Sequence, residues 1–253
     1  MMFSIPENFK SQQLKYERVK AAYDEKSEAV FTLLKQHHIS PSQLRIFIRV
    51  FKQDEILEVW AKENQSPRFE LLKTYQIASS SGNLGPKRKQ GDMQTPEGFY
   101  YIDRFNPISN FYLSLGVNYP NTSDKILGEK GNYGGDIFIH GATVTVGCMP
   151  MTDDKIKEIY LTAVEAKNAG QTAIPVHIFP TKLTDSGMVS LQKTVQSASF
   201  IGYWQALKNG QNIDYQKFIK FWTNLKEGYD YFEQHHQLPQ VSVKKTGEYT
   251  FTK

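Results

Sequence analysis

The chain has 253 residues, of which 40% are hydrophobic, so it is long enough to bury one large core or two small ones. Its 30 basic and 26 acidic residues are spread along the sequence, and the formal charge of +4 is too small to indicate a nucleic-acid partner. A single cysteine excludes an internal disulfide, and no apolar run is long enough for a membrane-spanning helix.

The N-terminal third is predicted to form a helix followed by strands. Apolar residues recur at helical spacing over residues 8–36, and this helix should end before Pro41. From residue 44 to residue 50 the apolar residues alternate, which is typical of a strand. A charged turn then leads into a second strand over residues 56–60, and a third is predicted over residues 69–77. We therefore expect a β-hairpin and a third strand after the helix.

A Ser-, Gly- and Pro-rich stretch over residues 79–92 is predicted to break regular structure. It contains Lys87, Arg88 and Lys89. Two interpretations of these cations stay open. One is a solvated loop, which is the commoner role of such a run. The other is a basic rim that holds a carboxylate of a substrate, which makes Lys87 and Arg88 candidate binding residues.

The rest of the chain alternates between strand and helix patterns. Strands are predicted over residues 99–102, 111–115, 136–140, 175–180 and, weakly, 241–251, and helices over residues 152–168, 189–208 and 214–236. The last helix is rich in aromatic residues, which we interpret as a core-facing side. His177 lies among apolar residues, which favours a packed histidine over a catalytic one. The fold class predicted is α+β, with helical additions at both ends of a β-rich middle.

One stretch, residues 136–151, holds the parts of a cysteine nucleophile. The only cysteine, Cys148, follows His140 by eight positions, and Gly141 and Gly147 stand next to them. His140 should emerge at the end of a strand, and a second short strand over residues 143–146 would bring it beside Cys148. A capped helix starts at Thr152. Because an imidazole and helix-end amides lower the pKa of a thiol, we expect Cys148 to be activated.

Gly147 allows a close approach at which the N–H groups around Cys148 hold an oxyanion. The pattern alone leaves a buried structural cysteine as an alternative. A zinc site built from Asp136, His140 and Cys148 is disfavoured, because it needs a fourth ligand or a water molecule.

Several motifs in this order resemble the YkuD-type L,D-transpeptidase catalytic domain. The Thr-Val-Gly-Cys sequence at residues 145–148 matches the family signature Ser/Thr-His-Gly-Cys except at Val146, and His140 matches the histidine that precedes it. The Thr-Pro-Glu-Gly sequence at residues 95–98 resembles the family's strand entry. The short spacer between His140 and Cys148 and the aromatic C-terminal helix are similar to the YafK-like branch.

The resemblance implies a catalytic domain with mixed sheets over residues 42–182. It also implies an N-terminal helical segment over residues 1–41 and a C-terminal helical extension over residues 183–253. Cys148 would be the nucleophile, His140 the general base and the carbonyl of Gly141 the group that orients the imidazole. Oxyanion and substrate contacts would come from Gly147, Thr145, Val146, Met149, Arg88 and Lys87. No metal or organic cofactor is implied.

The function implied is acyl transfer on peptidoglycan stem peptides at diaminopimelate, through a thioester on Cys148. One alternative is a hydrolase that uses the same pair to cleave cell-wall peptides or linkages to a wall-linked protein. A second alternative is an inactive peptidoglycan-binding module. It is suggested by Val146 and Pro150, which depart from the family pattern. A cytosolic thiol hydrolase is a further alternative. The family implies export to the periplasm or cell envelope, with a leader that has been trimmed.

Overall fold

The computed structural model describes residues 7–83, 85–209 and 216–253, and for residues 198–209 it describes the backbone alone. The helices in these ranges are α1 (Phe9–Gln13), α2 (Glu17–Gln36), α3 (Thr122–Leu127), α4 (Asp153–Asn168), α5 (Asp185–Asn209) and α6 (Gln216–His235). The strands are β1 (Leu44–Phe51), β2 (Ile56–Glu63), β3 (Glu70–Gln76), β4 (Gly98–Asn106), β5 (Ser114–Val117), β6 (Phe138–His140), β7 (Met149–Pro150), β8 (Pro175–Phe179), β9 (Gln240–Val243) and β10 (Tyr249–Thr252).

Eight of the described strands form one mixed sheet in the order β3-β2-β1-β8-β4-β5-β6-β7, and β9 and β10 form a separate hairpin. The pairs β1–β8 and β6–β7 are parallel, whereas the other neighbours in the large sheet are antiparallel. The predicted α+β class with a mixed sheet is confirmed. The parallel pair β6–β7 lies at one edge of the sheet, and its position determines where the site forms.

Helices cover both faces of the sheet. On β1, Ile46, Ile48 and Val50 pack in a cluster with side chains of α2 and α4, as the alternation of residues 44–50 predicts. Phe47 and Phe51 project to the opposite face, where the C-terminal helices pack. Because both faces are buried, β1 is apolar on both sides.

The predicted helix over residues 8–36 is divided into α1 and α2 by a turn. Asn8 caps α1 through a hydrogen bond from the N–H of Ser11, and Gln13 accepts a hydrogen bond from the Tyr160 hydroxyl of α4 at 2.7 Å. The turn lets both helices pack against α4. Helix α3 was not predicted, because six residues are too few to show a period. Its signal was the capping box formed by Asn121 and Asp124.

The aromatic side of the last helix is core, as predicted. Phe221, Trp222, Tyr229 and Phe232 of α6 are buried, while Tyr215 lies outside the described residues. The indole N–H of Trp222 donates to the carboxylate of Glu97 at 2.6 Å, which ties α6 to the start of β4. Among the described helices, none has the length and apolar character required to cross a membrane.

Candidate active site

Strands β6 and β7 place Cys148 and His140 on the same side of the sheet. The strands are parallel, with Ile139 level with Met149 and His140 level with Pro150. Since side chains alternate along a strand, Cys148 and His140 project to one face, two register positions apart. Ile139 and Met149 project to the other face and are buried in the core. The register of one short strand pair therefore brings the thiol and the imidazole to a common surface.

The imidazole of His140 is almost fully buried and held from two sides. Its Nδ1 donates a hydrogen bond to the carbonyl oxygen of Gly141 at 2.5 Å, and the ring of Phe111 stacks on it at a centroid distance of 4.6 Å. Because a carbonyl oxygen only accepts, this contact places the proton on Nδ1 and leaves Nε2 as the basic nitrogen. Burial lowers the pKa of His140, so the ring is neutral and able to accept a proton at neutral pH.

The Cys148 thiol lies against two backbone groups at the start of β6. Sγ donates to the carbonyl oxygen of Asp136 at 3.5 Å and accepts from the N–H of Phe138 at 3.4 Å. Burial raises the pKa of the thiol, and the N–H of Phe138 offsets this only in part. No hydrogen bond joins Sγ to the His140 ring in the described part of the chain. The substrate-free pair is therefore a neutral thiol and a neutral imidazole, and the expected lowering of the thiol pKa was wrong.

We expect iodoacetamide to alkylate Cys148 more slowly in the folded protein than in the urea-unfolded protein at pH 7.5. Burial raises the pKa of the native thiol, so a smaller fraction is thiolate at this pH, and the rate should keep rising above the pH at which a free thiol levels off. Mass spectrometry of the adduct reads the rate directly, because the chain has one cysteine. A native thiol that reacts faster than the unfolded one at pH 6.5 would contradict this assignment.

The segment between the two residues is a loop, so the predicted strand over residues 143–146 was wrong. Its polar groups bond to side chains instead of to a neighbouring strand. The bonds run from Ala142 N–H to Asp153 Oδ1 (2.8 Å), from Ser79 Oγ to the Thr143 carbonyl, from Thr145 Oγ1 to the Cys148 carbonyl (2.8 Å) and from Gly147 N–H to Ser81 Oγ (2.7 Å). These contacts fix the loop without a ladder of backbone hydrogen bonds.

The N–H of Cys148 is the candidate oxyanion donor. It has no hydrogen-bond partner among the described residues, whereas the N–H of Gly147 already donates to Ser81. The Gly147 N–H was predicted to bind the oxyanion. In the structure it instead holds the loop before Cys148 against Ser81. Gly147 has a φ of +91°, and a Cβ at this position would lie 2.7 Å from the carbonyl oxygen of Gln94. Both the backbone conformation and the available space require glycine beside the nucleophile.

Gly147→Ala should destabilise the protein by about 1–3 kcal/mol, because a side chain is strained at this φ. It should also slow turnover by about 100-fold, since the clash with Gln94 displaces the N–H of Cys148. Urea unfolding and product formation measure the two effects. Gly170→Ala is the matched control, because Gly170 has a φ of +90° but its nearest neighbour would be 4.0 Å from the added Cβ. Equal losses of activity in both variants would contradict the role assigned to Gly147.

One recess is lined by the nucleophile, and a second reaches Asp136, whose carbonyl contacts the thiol. The first has a volume of about 160 Å³ and is lined by Cys148, by the apolar side chains of Val50, Ile77 and Met149, and by polar residues of segment 79–83. The second is an open groove of about 630 Å³ that reaches Asp136 and Val146. Different segments of the chain therefore form the two recesses, and Cys148 itself lines the first.

The predicted basic rim is largely paired with acidic groups. Lys87 is buried, and its Nζ donates to Asp92 at 2.8 Å, but it lines the open groove and its charge acts on Cys148. Arg88 is paired with Asp124 at 3.2 Å and packs over the ring of Phe221. The structure thus brings Lys87 to the site and ties Arg88 to α3 and α6.

The remaining predicted residues differ in exposure. Val146, at the position of the family histidine, is 67% exposed beside the groove. Met149 is buried and contributes only a wall of the smaller recess, and Thr145 holds the carbonyl of Cys148. His177 is a packed histidine, as predicted, with the rings of Phe47 and Phe99 each at 4.5 Å. The described residues contain no group of three or more His, Cys, Asp or Glu placed to bind a metal ion.

Three supporting residues were missed by the sequence interpretation. Ser79 and Ser81 belong to the polar loop that was treated only as a break, although their hydroxyls hold the nucleophile loop. Thr152 was taken as a helix cap but makes no capping bond, and the carboxylate of Asp153 binds the N–H of Ala142 instead. The run of three serines before Gly82 was the only sequence signal for this clamp.

Comparison with known proteins gives a family for this arrangement. The family model of the YkuD L,D-transpeptidase catalytic domain matches residues 45–178. The chain is 35% identical over 210 residues to "Putative L,D-transpeptidase YafK" of Escherichia coli strain K12, which covers 82% of this chain and 74% of the relative. The O157:H7 strain has a relative of the same name with the same identity and coverage.

Two solved structures are more distant. The helical cell shape determining protein Pgp2 from Campylobacter jejuni has a TM-score of 0.44 and 19% identity, covering 80% of this chain and 74% of that one. Bd1075 from Bdellovibrio bacteriovorus has a TM-score of 0.40 and 21% identity, covering 79% and 75%. The family model matches more than half of the chain, and the Escherichia coli relative spans most of it. The chain therefore belongs to the YkuD L,D-transpeptidase catalytic-domain family.

Proposed function

We propose that the protein is a cysteine acyltransferase that acts on peptidoglycan stem peptides at diaminopimelate. The observation that carries this proposal is the arrangement of Cys148 and His140 on one face of the sheet, with Nε2 free of other partners among the described residues. The unpaired N–H of Cys148 supplies a donor for an oxyanion. Family membership supports the substrate class.

The first half-reaction forms a thioester. As the Cys148 side chain turns from the Asp136 carbonyl toward the imidazole, Nε2 of His140 takes the thiol proton and Sγ attacks the amide carbon at the L-centre of diaminopimelate. The new C–S bond places negative charge on the carbonyl oxygen, which the N–H of Cys148 stabilises. The C–N bond then breaks, and Nε2 returns its proton to the leaving amine. The Gly141 carbonyl keeps the imidazole oriented throughout.

The second half-reaction transfers the acyl group. Nε2 removes a proton from an incoming amine, which attacks the thioester and releases Cys148 as a thiol. The recess lined by Cys148, together with the open groove that reaches Asp136 and Val146, favours transfer, because two peptides must approach the same sulfur. Water in place of the amine gives hydrolysis, either of a wall peptide or of a linkage to a wall-linked protein. Since these substrates lie in the cell wall, we propose that the protein acts in the periplasm or cell envelope.

Incubation with defined diaminopimelate-containing muropeptides, with and without an amine acceptor, tests the proposal. Mass spectrometry should show a cross-linked or exchanged product when the acceptor is present. Two fragments whose masses together equal the substrate plus one water molecule, formed regardless of the acceptor, would support the hydrolase instead. Binding of the muropeptides without any product would support the inactive binding module.

A further inference from the structure

Ser114 on β5 is a buried serine whose hydroxyl lacks a hydrogen-bond partner in the described part of the chain. The residue is 1% exposed. An unpaired buried hydroxyl destabilises the folded protein, and alanine would occupy the same position without that cost. Packing alone therefore does not account for serine at this position.

Ser114 lies directly opposite His140 in the antiparallel pair β5–β6. Backbone hydrogen bonds flank the pair, from Gly141 N–H to the Leu113 carbonyl (3.1 Å) and from Val117 N–H to the Ile137 carbonyl (2.9 Å). Their positions make Ser114 and His140 a non-hydrogen-bonded pair, in which the Cα atoms are about 4.5 Å apart and the side chains share a face. Because β6 lies between β5 and β7, Ser114 flanks the imidazole on the side away from Cys148.

The surroundings of the imidazole offer little to stabilise a positive charge on it. Nδ1 is bonded to Gly141, and Phe111 covers the ring. The titratable and charged groups nearby include Cys148 before β7, Lys87, whose charge acts on Cys148, and Asp153 at the start of α4. Tyr112 before β5 lies against Arg18 and Lys157, and Asp136 before β6 is paired with Arg104 (3.1 Å). Asp153 is engaged by the N–H of Ala142, and Asp136 points to solvent with 78% of its side chain exposed.

We propose that Ser114 is a positioning residue: its oxygen, with lone pairs toward the ring, stabilises the imidazolium that forms when the proton moves from Sγ of Cys148 to Nε2 of His140. No bond to Ser114 forms or breaks in this step. The inference rests on the proposed function, because that function requires the proton transfer. It also explains why the hydroxyl has no partner in the resting protein, where the imidazole is neutral.

The test is the pH profile of iodoacetamide alkylation in Ser114→Ala. At pH 6.5 the small thiolate fraction arises by proton transfer from Sγ to Nε2, so the rate should fall by about three- to tenfold when the oxygen that stabilises the imidazolium is removed. At pH 10 the thiolate forms without proton transfer to His140, and the rate should match that of the wild type. The midpoint of thermal unfolding should not fall. Turnover of muropeptides at neutral pH should fall by the same factor as alkylation at pH 6.5.

Two variants serve as controls. Ser114→Thr keeps the hydroxyl and should retain most of the rate at pH 6.5. Ser123→Ala removes a buried hydroxyl that donates to the Gly247 carbonyl at 2.6 Å, so it should lose stability and keep the wild-type pH profile. An unchanged rate for Ser114→Ala at pH 6.5, or an equal fall at both pH values, overturns the proposal.

His140→Ala separates this proposal from the proposed function. If alkylation of the wild type at pH 6.5 does not depend on His140, both proposals fail. If it depends on both His140 and Ser114 but no muropeptide is converted, the proposed function alone fails.

Discussion

Cys148→Ala should abolish product formation from diaminopimelate-containing muropeptides, and His140→Ala should lower the rate by about 10²–10⁴-fold. The alanine at position 148 removes the only thiol in the chain, so no thioester forms. Loss of His140 removes the basic nitrogen that β6 and β7 place on the same face as the thiol. Chromatography with mass spectrometry measures the product, and the intact protein mass reports the acyl-enzyme.

His37→Ala is the matched histidine control. His37 is partly exposed and contacts Glu70 at 3.3 Å, at the end of α2, so its loss should leave turnover unchanged. Wild-type rates in both Cys148→Ala and His140→Ala would contradict covalent catalysis by this pair. A thioester detected in His140→Ala but not in Cys148→Ala would agree with the separate roles of base and nucleophile.

Glu97→Ala should lower the free energy of unfolding by about 3–5 kcal/mol, the cost of breaking a buried ion pair. Glu97 is fully buried, and its carboxylate accepts from Lys52 Nζ at 2.9 Å and from Trp222 Nε1 at 2.6 Å. Removing it leaves an uncompensated ammonium group and an unpaired indole N–H. Urea unfolding gives the magnitude. Since Lys52 also lines the recess beside Cys148, turnover should fall as well.

The double variant Lys52→Met/Glu97→Leu tests whether the unpaired charge of Lys52 causes the loss of stability in Glu97→Ala. It removes both charges and keeps apolar volume, so it should recover most of the stability that Glu97→Ala loses. Trp222 still lacks an acceptor in this variant, and the remaining deficit should be about 1–3 kcal/mol. A Glu97→Ala protein within about 1 kcal/mol of the wild type would show that the pair contributes little.

Local periodicity was sufficient to predict most of the sheet and the long helices. The alternation in β1 predicted its core face, because Ile46 and Ile48 pack against α4 while the polar turn after Phe51 ends the strand. Helix α4 was predicted to begin one residue before its observed start. The motif around Cys148 predicted the family, and the fold follows from it. The proposed division of the chain into three segments stays a prediction.

The details of the site were not predictable from local pattern. Residues 143–146 alternate like a strand, yet their polar neighbours come from segment 79–81 and from Asp153, which no local pattern reveals. Strand β5 begins at Ser114 rather than three residues earlier, and Phe111 lies outside it, over the imidazole of His140. Burial of the thiol also depends on long-range packing. The sequence interpretation therefore predicted a lowered pKa for Cys148, whereas burial raises it.

The bond from Gly147 to Ser81 joins positions 66 residues apart, which has a consequence for folding and oxidation. Closing such a loop is entropically costly, so the clamp around the nucleophile forms only when the strands between its two ends have paired. Until then Cys148 is an exposed thiol with an ordinary pKa, more easily oxidised at neutral pH than the half-buried native thiol. The native fold therefore protects its nucleophile, and the protein is most vulnerable to oxidative inactivation while it folds.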